Sequence, residues 1–127
     1  MALRTGILGL AAAMMLGLAA CAPIPTVLDT PKNGDTVAIS VDQPMQVRWA
    51  NQSPAHGAWV LQAPPVDTAL KTVGRKTEQP PGGAMAVDVF DFVGAQPGSQ
   101  QLTFVYRRKD GVPPTPEEQI TITVGVS

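Results

Sequence analysis

The sequence is poor in the residues that covalent cross-linking and catalysis require. One cysteine among 127 residues excludes an internal disulfide, so the fold must be held by its apolar core. The one histidine, His56, cannot join that one thiol in a Cys/His cluster of the kind that holds structural zinc. A hydrolase needs a nucleophile, a base and an orienting partner. A lone His between Ala55 and Gly57 does not offer that set. Asp88 and Asp91 fall in an alternating run at positions of opposite parity, so they face opposite ways and form no acid–base pair. Gly82-Gly83 lacks the following Lys-Ser/Thr of a phosphate-binding loop. Nine Lys/Arg against ten Asp/Glu, with no basic stripe, exclude a general nucleic-acid binder. Outside the N-terminus no window carries a helical apolar stripe. The expectation is a non-enzyme with no cofactor and no metal site.

What the sequence does have begins at its N-terminus. Arg4 precedes an apolar stretch, Gly6–Leu18, too short to span a bilayer and arranged like a secretory signal peptide. It ends in Leu18-Ala19-Ala20-Cys21, which resembles the lipobox of bacterial lipoproteins. That resemblance implies cleavage before Cys21, acylation of its thiol, and a membrane anchor; each buried CH₂ adds about 0.8 kcal/mol to such anchoring. Ala22 after the Cys, where an Asp would imply inner-membrane retention, places the protein at the outer membrane of a bacterial cell envelope. The expected organisation is a signal over 1–20, a lipidated tether over 21–26 stiffened by Pro23 and Pro25, and one domain over 27–127.

The domain alternates with a period of two, which puts every second side chain on one face of a sheet. Val37, Ile39 and Val41 share a face after the turn Pro31–Asp35, and Met45, Val47 and Trp49 share one in the next run. Ala58–Gln62 is a further strand. Ala63–Asp67 holds Pro64-Pro65 and cannot be a central strand. Thr68–Thr77 is a weaker edge strand, and Met85–Val93 a strong one with Phe90 and Phe92. Leu102, Phe104 and Tyr106 alternate, as do Ile120, Ile122 and Val124. Seven or eight short strands predict an all-β, immunoglobulin-like antiparallel β-sandwich without a disulfide, with a barrel as the alternative. Trp49 and Trp59 are expected in the core on facing strands.

In such a sandwich every second connection falls at the same end. Asn51–Gly57, Gln79–Ala84 and Arg107–Glu117 would therefore cluster, and clustered loops on a rigid scaffold commonly form binding sites. Asn51 and Gly57 are the expected hinges of the first loop, with Trp59 as its footing.

The stretch Phe90–Arg108, "FDFVGAQPGSQQLTFVYRR", resembles the chagasin-type family of cysteine-protease inhibitors. It is similar to that family's paired phenylalanines, Pro-Gly turn, Leu-x-Phe/Leu-Val-Tyr strand and Arg. "NGDTVAISV" resembles the family's first strands, and "PPGGAMAVDVF" its Gly-rich loop and following strand, so the likeness runs from Asn33 to Val124. The resemblance implies a reversible, non-covalent inhibitor whose three loops enter the cleft of a papain-like cysteine protease, whether host, competitor or endogenous. The residues it implicates are Asn51, Ser53, Pro54, His56, Gly57, Gly82, Gly83, Arg107, Arg108 and Lys109, on a monomer. The family's Asn-Pro-Thr-Thr-Gly loop is here Asn51 followed by Gln52-Ser53-Pro54-Ala55-His56-Gly57, and its Arg-Pro-Trp is Arg108-Lys109-Asp110. Those departures leave a second reading, a non-inhibitory envelope lipoprotein that binds another protein through the same loop end or a strand edge.

Overall fold

The computed structural model describes residues 24–62, 68–83 and 85–127. The signal, Cys21 and the Pro64-Pro65 segment lie outside the described residues. Eight strands follow in order: β1 (Thr26–Asp29), β2 (Thr36–Ile39), β3 (Pro44–Asn51), β4 (Gly57–Gln62), β5 (Leu70–Glu78), β6 (Ala86–Gly94), β7 (Gly98–Arg108) and β8 (Gln119–Val126). They form two four-stranded sheets, β1-β3-β6-β5 and β2-β8-β7-β4. The architecture is the expected sandwich.

Alternation explains which faces meet. Met45, Val47 and Trp49 of β3, with Phe90 and Phe92 of β6, point inward from the first sheet. Leu102 and Phe104 of β7, with Ile122 and Val124 of β8, point inward from the second. Phe104 is the aromatic centre, with ring centroids 5.3 Å from Trp49 and 5.1 Å from Phe90. Toward one end, Trp49 and Trp59 stack across the two sheets at 4.3 Å with planes 17° apart. Both tryptophans thus sit where the alternation puts them.

The β3–β6, β5–β6, β4–β7 and β7–β8 ladders are antiparallel. The two outer pairings, β1–β3 and β2–β8, run parallel, which the expectation of an antiparallel sandwich did not include. The physical reason is that the first strand is split between the sheets. β1 pairs with the first sheet, the chain turns through Thr30–Asp35, and β2 pairs with the second. Thr30 takes a positive φ of 44° at the crossing, a conformation costly for a β-branched residue, while its N–H donates to the Arg48 carbonyl at 2.8 Å. The weak segment around Thr68–Thr77 is an edge strand, as expected, and carries a bulge between Thr72 and Gly74.

Phe104 is fully buried whereas Tyr106, two residues on, is half-buried. Phe104→Ala is expected to cost about 3–5 kcal/mol by the removal of buried ring and the cavity left behind. Tyr106→Ala should cost clearly less; urea unfolding of both variants measures the difference.

Candidate functional site

Register fixes where the loops go. Asn51 at the end of β3 is opposite Ala86 at the start of β6, and Glu78 at the end of β5 is opposite Val87. Gly57 at the start of β4 is opposite Arg108 at the end of β7. The connections after β3, β5 and β7 therefore leave from one end of the sandwich. The β5–β6 connection stays on the first sheet and the β7–β8 connection on the second. The β3–β4 connection crosses between the sheets and lies between the other two.

A buried carboxylate holds the roots of the first and second loops together. Asp88 on β6 is fully excluded from solvent. Its Oδ2 accepts from Asn51 Nδ2 at 3.1 Å and from the Trp59 backbone N–H at 3.0 Å. Its Oδ1 accepts from Thr77 Oγ1 at 2.8 Å and lies 3.4 Å from the Arg75 guanidinium. Arg75 also donates to the Trp59 carbonyl at 2.9 Å and lies 5.4 Å from the Phe90 ring centroid. Trp59 pairs with Tyr106 on one side only, because β4 is an edge strand. Its outward N–H and C=O are met by Asp88 and Arg75 of the opposite sheet. A buried charge is tolerable only when paired and hydrogen-bonded in this way.

Asn51 extends the same network into the first loop. Its Nδ2 also donates to the Gly57 carbonyl at 3.1 Å, and its Oδ1 accepts from the Ser53 N–H at 3.1 Å. Asn51 is 2% exposed, so its side chain shapes the loop from within. Gly57 is also buried, and its role is close approach: a Cβ there would stand 2.6 Å from the Arg107 carbonyl and 2.8 Å from the Tyr106 ring. Ser53, Pro54 and His56 are exposed on the loop they form. The Ser53 carbonyl accepts from the His56 N–H at 2.9 Å and from the Tyr106 hydroxyl at 3.3 Å. The His56 carbonyl accepts from the Lys109 N–H at 2.9 Å, which ties the first loop to the third.

Arg107, Arg108 and Lys109 are exposed at the end of β7. Arg108 pairs with Glu118 at 3.0 Å. The Glu118 carboxyl is held below the usual carboxylate range, first by the Thr115 backbone N–H at 3.0 Å and then by Arg108. Between the first and third loops is a polar hollow of about 470 Å³ that includes His56, Tyr106, Arg108 and Glu118. The second loop turns through Pro81–Gly83, where Gly82 is exposed at φ 82° with open space where a Cβ would project. Among the described residues no group of three His, Cys, Asp or Glu could hold a metal ion. The sequence showed only that Asp88 and Asp91 face opposite ways; the signal that could have found the network is that Asp88 shares its parity with Phe90 and Phe92 in the strongest strand.

No family model matches the chain, and no curated protein matches it. Solved structures do. A cysteine protease inhibitor from Entamoeba histolytica, EhICP2, superposes with a TM-score of 0.65 at 14% identity, over 81% of this chain and 95% of its own. Amebosin superposes with a TM-score of 0.58 at 18% identity, over 82% of this chain and 99% of its own. What is shared is the fold. At these identities the likeness covers strand order and sandwich packing, and leaves the loop sequences to be read on their own residues.

Two outcomes test the loop roots. Asp88→Ala leaves the Trp59 N–H and the Thr77 and Asn51 side chains without their acceptor and should lower stability by about 1–3 kcal/mol or more, read from denaturant unfolding. Glu118, whose folded pKa is depressed, contributes stability that is present above its ordinary value of 4.5 and is lost as pH falls through the folded value. Glu118→Gln should therefore differ most from the parent at neutral pH, and the two unfolding midpoints should converge as pH falls below 4.5 through the lowered folded value.

Proposed function

We propose that this protein is a reversible, non-covalent inhibitor of papain-like cysteine proteases, anchored to the bacterial outer membrane through an acylated Cys21. The observation that carries the reading is the loop end itself. Three connections emerge side by side, the first and third are hydrogen-bonded to each other, and the first and second adjoin strands joined at the buried Asp88. A pre-ordered edge of this kind loses little entropy when it enters a cleft. That a cysteine protease inhibitor shares the fold supports the same reading. In it, Ser53, Pro54 and His56 form the central wedge, and Gly82-Gly83 allow close backbone approach on one side. Arg107, Arg108 and Lys109 on the other side supply positive charge that speeds encounter with an acidic rim.

One observation favours a second reading, a non-inhibitory envelope lipoprotein that binds another protein through the loop end. Arg108 is already paired with Glu118, and no aromatic residue stands at Arg108-Lys109-Asp110 to fill a pocket as interface anchors commonly do.

Titration of the detergent-solubilised protein into papain separates the two. Inhibition at or below micromolar protein is expected, and Gly82→Val should weaken it at least tenfold. The new side chain projects into open space at the partner-facing turn, and a β-branched residue at this positive φ adds a local backbone cost of at least about 1–2 kcal/mol. Inhibition unchanged by this variant would remove the second loop from the mechanism. No inhibition of papain or a cathepsin would favour the second reading.

A further inference from the structure

The end of the first sheet remote from the loops carries an apolar surface that the loop site does not use. An open groove of about 670 Å³ there includes Val27, Pro44, Val73 and Val93, with Gln46 and Asp91. Val27 is 50% exposed and Val73 64% exposed, and Ile24 beside them is 80% exposed. Val73 is the residue at the β5 bulge, where the break in register turns a valine outward. The two polar members of the groove satisfy one another: Gln46 Nε2 donates to Asp91 Oδ1 at 2.9 Å. Lys71, exposed and in register with Val93, flanks the groove with a cation on a long apolar stem. Exposed apolar surface gathered in one place on a small domain marks a contact.

The covalent chain says what the contact is. Ala22, Pro23 and Ile24 alone separate Cys21 from Pro25, the first residue of the groove. That length spans at most about 14 Å fully extended. We propose that this face docks on the interfacial layer of the bilayer that holds Cys21, with Ile24, Val27 and Val73 entering the headgroup region and Lys71 reaching anionic headgroups. Surface helices insert their apolar face about 5–10 Å into the same layer, a depth that these side chains can match. β3 runs from Gln46 in the groove to Asn51 at the loop root, about 17 Å at the usual rise per residue. The three loops therefore leave the sandwich at the end of β3 away from the docked patch. This inference rests on the acylation of Cys21 in the function proposed above, but not on protease inhibition.

The test uses the full chain, processed in its native envelope and reconstituted into vesicles of phosphatidylethanolamine and phosphatidylglycerol. Acylation of Cys21 consumes the native thiol, so Val73→Cys and, separately, Asp110→Cys each offer one site for an environment-sensitive dye. Nitroxide-bearing lipids should quench the dye at position 73 at least twofold more than at position 110. The charge variant Val27→Asp should reduce that difference without altering protease inhibition. Equal quenching at both positions, with the acyl group confirmed by mass spectrometry, overturns the docking and leaves the anchor standing. An N-terminal peptide without acyl groups overturns both. Shielding of position 73 in detergent that grows with protein concentration assigns the face to a second copy instead, and also overturns it.

Discussion

The loop end depends on the placement of one carboxylate. Asp88 has no contact with solvent, and its partners come from β3, β4 and β5, the last supplying both Thr77 and Arg75. Apolar packing alone would let the two sheets slide over each other by small amounts, because dispersion and burial are non-directional. A buried charge removes that freedom, since each misplaced partner leaves a desolvated group unmatched. The Trp49–Trp59 stack lies at the same end and fills the space beneath the network. Polar pairing sets the relative position of β3, β4 and β5 there, and the aromatic stack supplies the burial.

The same network bears on the two partner surfaces a sandwich can offer, loops and strand edges. An edge invites strand addition only where its N–H and C=O groups are open. On β4, Trp59 is covered by Asp88 and Arg75, and the Gly57 carbonyl by Asn51. On β5 the ladder is interrupted by the bulge, and Lys71, Arg75 and Lys76 line the strand with charge. β1 and β2 are four residues each. Every edge is therefore short, broken or occupied, which directs recognition toward the loops.

The strands were legible because alternation is a strong local signal when one face is buried. Met45, Val47 and Trp49, or Leu102 and Phe104, can satisfy a sheet in only one orientation. The clustering of three connections followed from strand count and direction, again without tertiary detail. The split of the first strand was not legible: β1 is short, its Thr26 falls in a proline-rich segment that reads as tether, and pairing partners carry no sequence mark. Nor was the role of Gly57, which reads as a hinge but is required by the approach of the Arg107 carbonyl and the Tyr106 ring. Asp88 was legible only as facing away from Asp91, and its partners Asn51, Trp59 and Thr77 lie along the chain where only the folded register brings them near.

The parallel β1–β3 pairing has a consequence for orientation. Because β1 runs with β3, the chain enters the sandwich at the Met45 end and β3 leaves it at Asn51. An antiparallel first strand of the same length would have brought the N-terminus toward the loops and, with an anchor at Cys21, would have pressed them against the membrane. In the parallel arrangement the tether and the loops lie at opposite ends of one strand. In the anchored inhibitor proposed above, a protease approaching from the aqueous side would meet Ser53, Pro54, His56 and Gly82.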